Sequence, residues 1–139
     1  MKMTSAFVDT DVCIDLLSGR KPFHSAAAKL FSLADKGKLK LHVSAISFAN
    51  IDYLLRKQYN GRGSRQILAQ FKTLVVVLPV DEKCIALAIA SEFDDFEDAI
   101  QNAVALENRI TTIITRNTKD FKRSTLHILT PDSFLANEI

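Results

Sequence analysis

The fold is indicated most directly by residues 95–120, which read DFEDAIQNAVALENRITTIITRNTKD. Apolar residues recur at the i, i+4, i+7 and i+8 spacing of an amphipathic helix, at Phe96, Ile100, Ala103 and Val104. The run Thr111 to Thr115 is typical of a strand, and a polar turn follows it. Acids at the start of a helix and after a strand favour a site over an ordinary surface.

Strands and helices alternate through the rest of the chain. Further strands are predicted at residues 6–8, 39–43, 74–78 and 126–129. Helices are predicted at residues 12–17, 22–37 with Pro22 at the start, 46–59, around 67–71 after a break at 60–63, after Asp81, and at 131–135. This alternation predicts a single α/β domain, residues 1–139, with a mostly parallel sheet covered on both faces.

The helix predicted at residues 46–59 carries a candidate site residue. Its apolar face is predicted to consist of Ile46, Ala49, Tyr53 and Leu54. Asn50 lies early in this helix, and Asp52 is rotated about 200° from it, so the two side chains should face nearly opposite ways.

Composition narrows the class of protein. The 139 residues are 47% hydrophobic, which is typical of a packed globular domain. The net charge of +2 does not by itself imply nucleic-acid binding. Cys13 and Cys84 are far apart in apolar surroundings, which favours reduced thiols over a zinc site. We expect a soluble, cytoplasmic protein, since no signal peptide is visible and the longest aliphatic run, residues 74–80, is too short to cross a bilayer.

Polar residues follow three of the predicted strands. Asp9 comes after the first strand, Asn50 lies in the segment after the second, and the turn with Asn117 and Asp120 follows the run Thr111 to Thr115. In parallel α/β sheets ligands bind at the carboxyl ends of the strands, so these segments can converge. The alternative to a binding site is that Asp9 or Asp11 only caps the following helix.

Carboxylates that converge without cationic partners repel one another and need a positive ion. Oxygen ligands favour Mg²⁺ or Mn²⁺ over zinc. Such an ion can activate water and shield the charge that develops on a phosphate. The acids therefore indicate phosphodiester hydrolysis.

A basic group lies beside Asp120. It consists of Arg116, Lys119, Lys122 and Arg123. These residues are candidate RNA contacts, since a polyanion could be drawn to them. The alternative is an ordinary solvated turn.

The chain resembles PIN-domain proteins, in particular the VapC-like toxin ribonucleases of toxin–antitoxin pairs. The resemblance lies in FVDTDVCIDLL with Asp9, EDAIQNAVAL with Asp98 and IITRNTKDF. It implies a three-layer α/β/α sandwich around a parallel sheet of about five strands, and a metal-dependent endoribonuclease that leaves a 5′-phosphate and a 3′-hydroxyl. By match of position, Asp9 and Asp98 would bind Mg²⁺ or Mn²⁺. The resemblance also implies an RNA substrate, an antitoxin partner and a homodimer.

The sequence departs from this family at two positions. Asn50 stands where the family usually places a glutamate, and Asn117 stands where the last acid often follows Thr-Arg, with Asp120 three residues later. Asparagine can ligate through its carbonyl oxygen but carries no charge. Asp120 is the candidate replacement for the last acid. Glu97 adjoins Asp98 and can be either a rim residue or a solvated acid of the first helical turn.

Two other functions remain open on the sequence. One is a catalytically weakened PIN domain that binds RNA or a partner protein, which the missing glutamate favours. The other is a phosphatase of the haloacid-dehalogenase type, since Asp9 and Asp11 resemble the opening motif of that class. Asp94 and Asp95 count against the phosphatase, because they follow a helical pattern and not the strand that it would need.

Overall fold

A five-stranded parallel sheet forms the centre of the structure, a computed structural model that describes residues 3–137. The strands are β1 (Thr4–Val8), β2 (Leu39–Ser44), β3 (Val76–Leu78), β4 (Thr112–Ile114) and β5 (His127–Leu129). Their spatial order is β3-β2-β1-β4-β5. Phe7 pairs with His42 on one side and with Ile113 on the other, so β1 is the central strand. The predicted parallel α/β sheet is confirmed.

Helices connect and cover the strands. They are α1 (Thr10–Ser18), α2 (His24–Asp35), α3 (Ala45–Leu55), α4 (Gly61–Lys72), α5 (Glu82–Ala90), α6 (Phe96–Glu107) and α7 (Pro131–Asn137), with a 3₁₀ helix at Thr118–Phe121. Within residues 3–137, none of these is long and apolar enough to cross a membrane.

The strands alternate their side chains between two hydrophobic cores, one on each face of the sheet. Ala6 and Val8 contribute to a core that α1, α2, α3, α4 and α7 cover. Phe7 and Ile113 point the other way, into a core that α5 and α6 cover. Because successive residues of a strand face opposite sides, one short apolar run serves both cores. The predicted three-layer α/β/α sandwich is confirmed.

Two predicted helix starts were wrong. Pro22 does not open α2, which begins two residues later at His24. The glycines at 61 and 63 do not break the chain but form the first turn of α4. Asn60 caps this helix by accepting the backbone N–H of Gly63 at 2.7 Å, and a Cβ on Gly61 would lie 2.6 Å from the Arg56 guanidinium. That guanidinium is the exposed end of a flexible side chain, which can move aside. The two glycines are therefore ordinary helical residues here and do not end a helix.

The predicted apolar faces of two helices also need correction. On α3 the buried residues are Ser47, Ile51 and Leu55, whereas Tyr53 is 69% exposed. On α6 the buried face also includes a polar residue, Gln101, which is fully buried. Phe96, which was predicted to belong to the apolar face, is 50% exposed. Both helices turn polar residues inward because a buried hydrogen-bond network lies between them, at the carboxyl ends of the strands.

Candidate active site

Asp9 directly follows the central strand and is the N-cap of α1. Its Oδ1 accepts the backbone N–H of Thr10 at 2.8 Å, and its Oδ2 accepts the hydroxyl of Thr115 at 2.8 Å. The backbone N–H of Asp9 donates to the carbonyl of Ile114 at 2.9 Å, which ties the residue to β4. Burial and then the nearby carboxylate of Asp11 raise the pKa of Asp9 to about 8. The Asp9 carboxylate therefore both caps α1 and faces the site.

Asp98 lies in the first turn of α6, where its backbone N–H donates to Oδ1 of Asp95 at 3.0 Å. Burial, and then the carboxylates of Asp95 and Asp120, raise the pKa of Asp98 to about 7. The charge of Asp98 in turn raises the pKa of Asp9. The two acids predicted as metal ligands therefore lie close enough to interact electrostatically, although 89 positions separate them.

Asn117 faces the carboxylate of Asp11, a residue that was not among the predicted metal ligands. Its Nδ2 donates to Oδ2 of Asp11 at 2.9 Å, and its backbone N–H donates to the hydroxyl of Thr115 at 3.1 Å. The other oxygen of Asp11, Oδ1, is buried and has no hydrogen-bond partner among residues 3–137. Burial raises the pKa of Asp11, although Arg116 opposes that shift. Such a buried acceptor without a partner is costly to the folded state.

Asn50 is paired with Glu97. The Nδ2 of Asn50 donates to Oε2 of Glu97 at 2.8 Å, and the hydroxyl of Thr10 donates to Oε1 at 3.4 Å. Glu97 is half-buried, and burial is the main cause of its raised pKa. Of the two interpretations of Glu97, the solvated acid is therefore wrong: its carboxylate is directed at α1 and α3. The rotation argument holds for Asp52, which accepts from Ser64 at 2.7 Å.

A buried polar network fixes the helix ends that carry these residues. Its members are Thr10, Ser44, Ser47 and Gln101, all at most 6% exposed. Gln101 Nε2 donates to the hydroxyls of Thr10 at 3.0 Å and Ser47 at 2.9 Å, and its Oε1 accepts from Ser44 at 2.6 Å. Sequence reasoning missed this network, although a glutamine on the flank of the apolar stripe was the available signal. Satisfied networks of this kind make a unique geometry rigid.

The predicted RNA-binding residues differ in what they contact. Arg116 forms an ion pair with the buried Asp15 and lies over the ring of Phe23, 4.0 Å from its centroid. Arg123 is 3.8 Å from Glu92 in a solvent-exposed pair. Lys119 and Lys122 are exposed beside Asp120, on and just after the 3₁₀ helix.

An open cavity of about 440 Å³ lies beside Asp11 and Glu97. Its lining includes Thr10, Asp11, Arg20, Asn50, Tyr53, Glu97, Arg116 and Asn117. Carboxylate oxygens, amides, two guanidinium groups and an exposed aromatic ring therefore share one concave surface. This combination suits a ligand that carries both a phosphate and an aromatic base.

The donor chemistry of the site fits a hard divalent cation. All the converging side chains offer oxygen, the carboxylates raise one another's pKa, and Asp11 keeps a buried oxygen without a partner. The ligand geometry is not preformed, since in the described part of the chain no three His, Cys, Asp or Glu residues form a group that could hold a metal.

Comparisons with known proteins agree with this geometry. The family model described as PIN domain matches residues 5–119. A comparison with curated protein sequences finds no significant match.

Solved structures share the fold along most of the chain. A toxin–antitoxin complex from Klebsiella pneumoniae is 26% identical, with a TM-score of 0.69 and coverage of 91% of this chain and 97% of that one. VapBC2 from Rickettsia felis, bound to a DNA fragment from its promoter, is 18% identical, with a TM-score of 0.67 and the same coverage. VapC20 from Mycobacterium tuberculosis, a toxin that cleaves the sarcin–ricin loop, is 22% identical, with a TM-score of 0.62 and coverage of 78% and 86%.

Proposed function

Since the chain belongs to the PIN-domain family, we propose that it is a metal-dependent endoribonuclease and the toxin of a toxin–antitoxin pair. The observation that carries this proposal is the approach of Asp9, which is buried, and Asp98, which is half-buried, at the carboxyl ends of the central strands, where the surroundings of each carboxylate disfavour its charge. Such a pair is costly unless a cation compensates it.

Asp9, Asp98 and Asp120 would hold Mg²⁺ or Mn²⁺, together with the amide oxygen of Asn117. When bound, the ion supplies a water of lowered pKa and stabilises charge on the phosphate. The residues of the chain position it: Thr115 orients the Asp9 carboxylate, and Asp95 fixes the first turn of α6 on which Asp98 lies. Hydrolysis would leave a 5′-phosphate and a 3′-hydroxyl.

Basic residues beside the acids would hold the RNA backbone. Lys119 and Lys122 are exposed next to Asp120, and Arg123 takes part only in a weak exposed pair. Arg116 contributes to the cavity wall while its guanidinium remains paired with Asp15. Phosphate contacts of this kind position a nucleic acid without reading its sequence.

The test of activity is RNA cleavage by the purified protein in Mn²⁺ or Mg²⁺. Wild type should degrade a mixed RNA substrate, and Asp98→Asn should reduce the rate by at least about 100-fold, an order of magnitude consistent with loss of a charged ligand. Asp35→Asn, at an exposed position at the end of α2, is the matched control and should keep full activity. Equal degradation by wild type and Asp98→Asn would show that a contaminant cleaves the RNA.

An antitoxin and a second copy of the chain are the proposed protein partners. Structural neighbours include toxin–antitoxin complexes, some of them bound to DNA. A small open reading frame beside this one, whose product co-purifies with the chain and suppresses its nuclease activity, would support the toxin role. Sedimentation of the free protein at the mass of a dimer would support the homodimer.

A catalytically weakened PIN domain that binds RNA is the second candidate. It is favoured by the two uncharged amides, Asn50 and Asn117, among the site residues. In that case the protein would bind single-stranded RNA without cleaving it in either metal. The structure does not favour the phosphatase alternative, because Asp94 and Asp95 lie in the loop after α5 and not after a strand.

A further inference from the structure

The carboxylate of Glu97 lies beside the uncharged amide of Asn50. Glu97 neighbours Asp98 in the first turn of α6. Its Oε2 accepts from Asn50 Nδ2 at 2.8 Å, and its Oε1 accepts from the hydroxyl of Thr10 at 3.4 Å. An acid at the first turn of a helix commonly extends into solvent, but this one is directed across to two other helices.

Asn50 and Glu97 are chemically complementary. A carboxylate at position 50 would face the Glu97 carboxylate at hydrogen-bonding distance, and the two would repel each other. An amide at position 50 instead donates a charge-assisted hydrogen bond. We propose that Glu97, on α6, supplies to the cation site the negative charge that Asn50, on α3, lacks. This inference rests on the proposed function.

The buried network holds this pair in place. Glu97 lies one helical turn before Gln101, and Asn50 lies one turn after Ser47. Gln101 and Ser47 both contact the hydroxyl of Thr10, the residue that follows Asp9. The same framework therefore fixes the pair relative to Asp9.

Glu97 also lines the cavity to which Asp11 and Asn117 belong. It adjoins Asp98 in the chain. Beside Asp9, Asp98 and Asp120, Glu97 would be a fourth carboxylate, which offsets the uncharged amides at positions 50 and 117.

The proposal is tested by moving the negative charge from position 97 to position 50. The Mn²⁺ affinity of the full chain is measured by calorimetry. Glu97→Gln should lower the affinity about 10- to 100-fold, while retaining an amide that can still hydrogen-bond Asn50. The double variant N50D/E97Q reverses donor and acceptor with nearly unchanged volumes, and it should recover affinity to within about threefold of wild type. Glu82→Gln removes another first-turn acid, on α5, and should leave the affinity unchanged.

The melting temperature without metal provides the second readout. Glu97→Gln should melt close to wild type when metal-free and should gain less from added Mn²⁺, which separates lost binding from lost folding. Unchanged affinity in Glu97→Gln, with a large loss in Asp98→Asn, would overturn the role of Glu97 and leave the proposed nuclease intact. Failure of N50D/E97Q to recover affinity would also overturn it. Absence of Mn²⁺ binding by wild type would overturn this inference and the proposed function together.

Discussion

Replacing Asp9 with asparagine should stabilise the metal-free protein, and the gain should grow as the pH rises. In the folded state the pKa of Asp9 is raised from 3.8 to about 8, mainly by burial. A carboxyl group with a raised folded pKa favours folding below its unfolded pKa, and that contribution is lost as the pH rises toward the folded pKa. The introduced amide would still accept the Thr10 N–H through its carbonyl oxygen, and it would never ionise.

The size of the effect follows from the gap between the two pKa values. Each pH unit above 3.8 costs wild type about 1.4 kcal/mol of stability, until the folded pKa of about 8 is reached. The cost is therefore about 4 kcal/mol at pH 7 and only about 2 kcal/mol at pH 5. The first figure is a large fraction of the roughly 5–15 kcal/mol of total stability of a domain. With an unfolding entropy of about 2.1 cal/mol/K per residue, it corresponds to a shift in melting temperature of about 14 °C.

Thermal melts in EDTA between about pH 4.5 and pH 8 would measure this dependence. The melting temperature of Asp9→Asn should lie close to that of wild type at the acidic end of this range and exceed it increasingly toward the alkaline end. Asp35→Asn, at an exposed position, should show no comparable trend. A difference between Asp9→Asn and wild type that stays the same across the whole range would refute the idea that burial suppresses the ionisation of Asp9.

Two substitutions test the parts of the structure that support the site. Gln101→Leu should lower the free energy of unfolding, measured in urea, by about 1–3 kcal/mol, because it leaves buried hydroxyls without their partner. The control Gln66→Leu, at an exposed position, should be near neutral. Equal effects of the two substitutions would mean that the network adds no stability. Arg116→Gln should cost about 1–3 kcal/mol, because it removes the closer of the two guanidinium groups that face the buried Asp15 carboxylate, while Arg20 remains 3.9 Å away. Arg123→Gln, in an exposed pair, should cost at most about 1 kcal/mol, and equal losses in the two arginine variants would contradict this difference.

Local sequence patterns predicted most of the fold because the elements are short and regular. Asp81 was correctly identified as the N-cap of α5, where it accepts the N–H of Cys84 at 3.0 Å. The apolar run at residues 111–115 was correctly placed as a strand, since β4 covers Thr112–Ile114. The errors arose where glycines lie inside a helix, as at Gly61, and where polar residues are buried, as at Ser47 on α3. Periodicity assigns such residues to the surface or to a turn, because it does not include what packs against them.

The sequence by itself determined the order of strands and helices and the three segments that carry Asp9, Asp98 and the acidic turn. It did so because hydrophobic spacing and capping residues act locally. Only the tertiary structure decided that Glu97 faces Asn50, that Gln101 on α6 connects the N-terminal ends of α1 and α3, and that Arg116 is held by Asp15. Those contacts join residues between 47 and 101 positions apart. Their geometry depends on which strands lie side by side, and a local pattern carries no information about that.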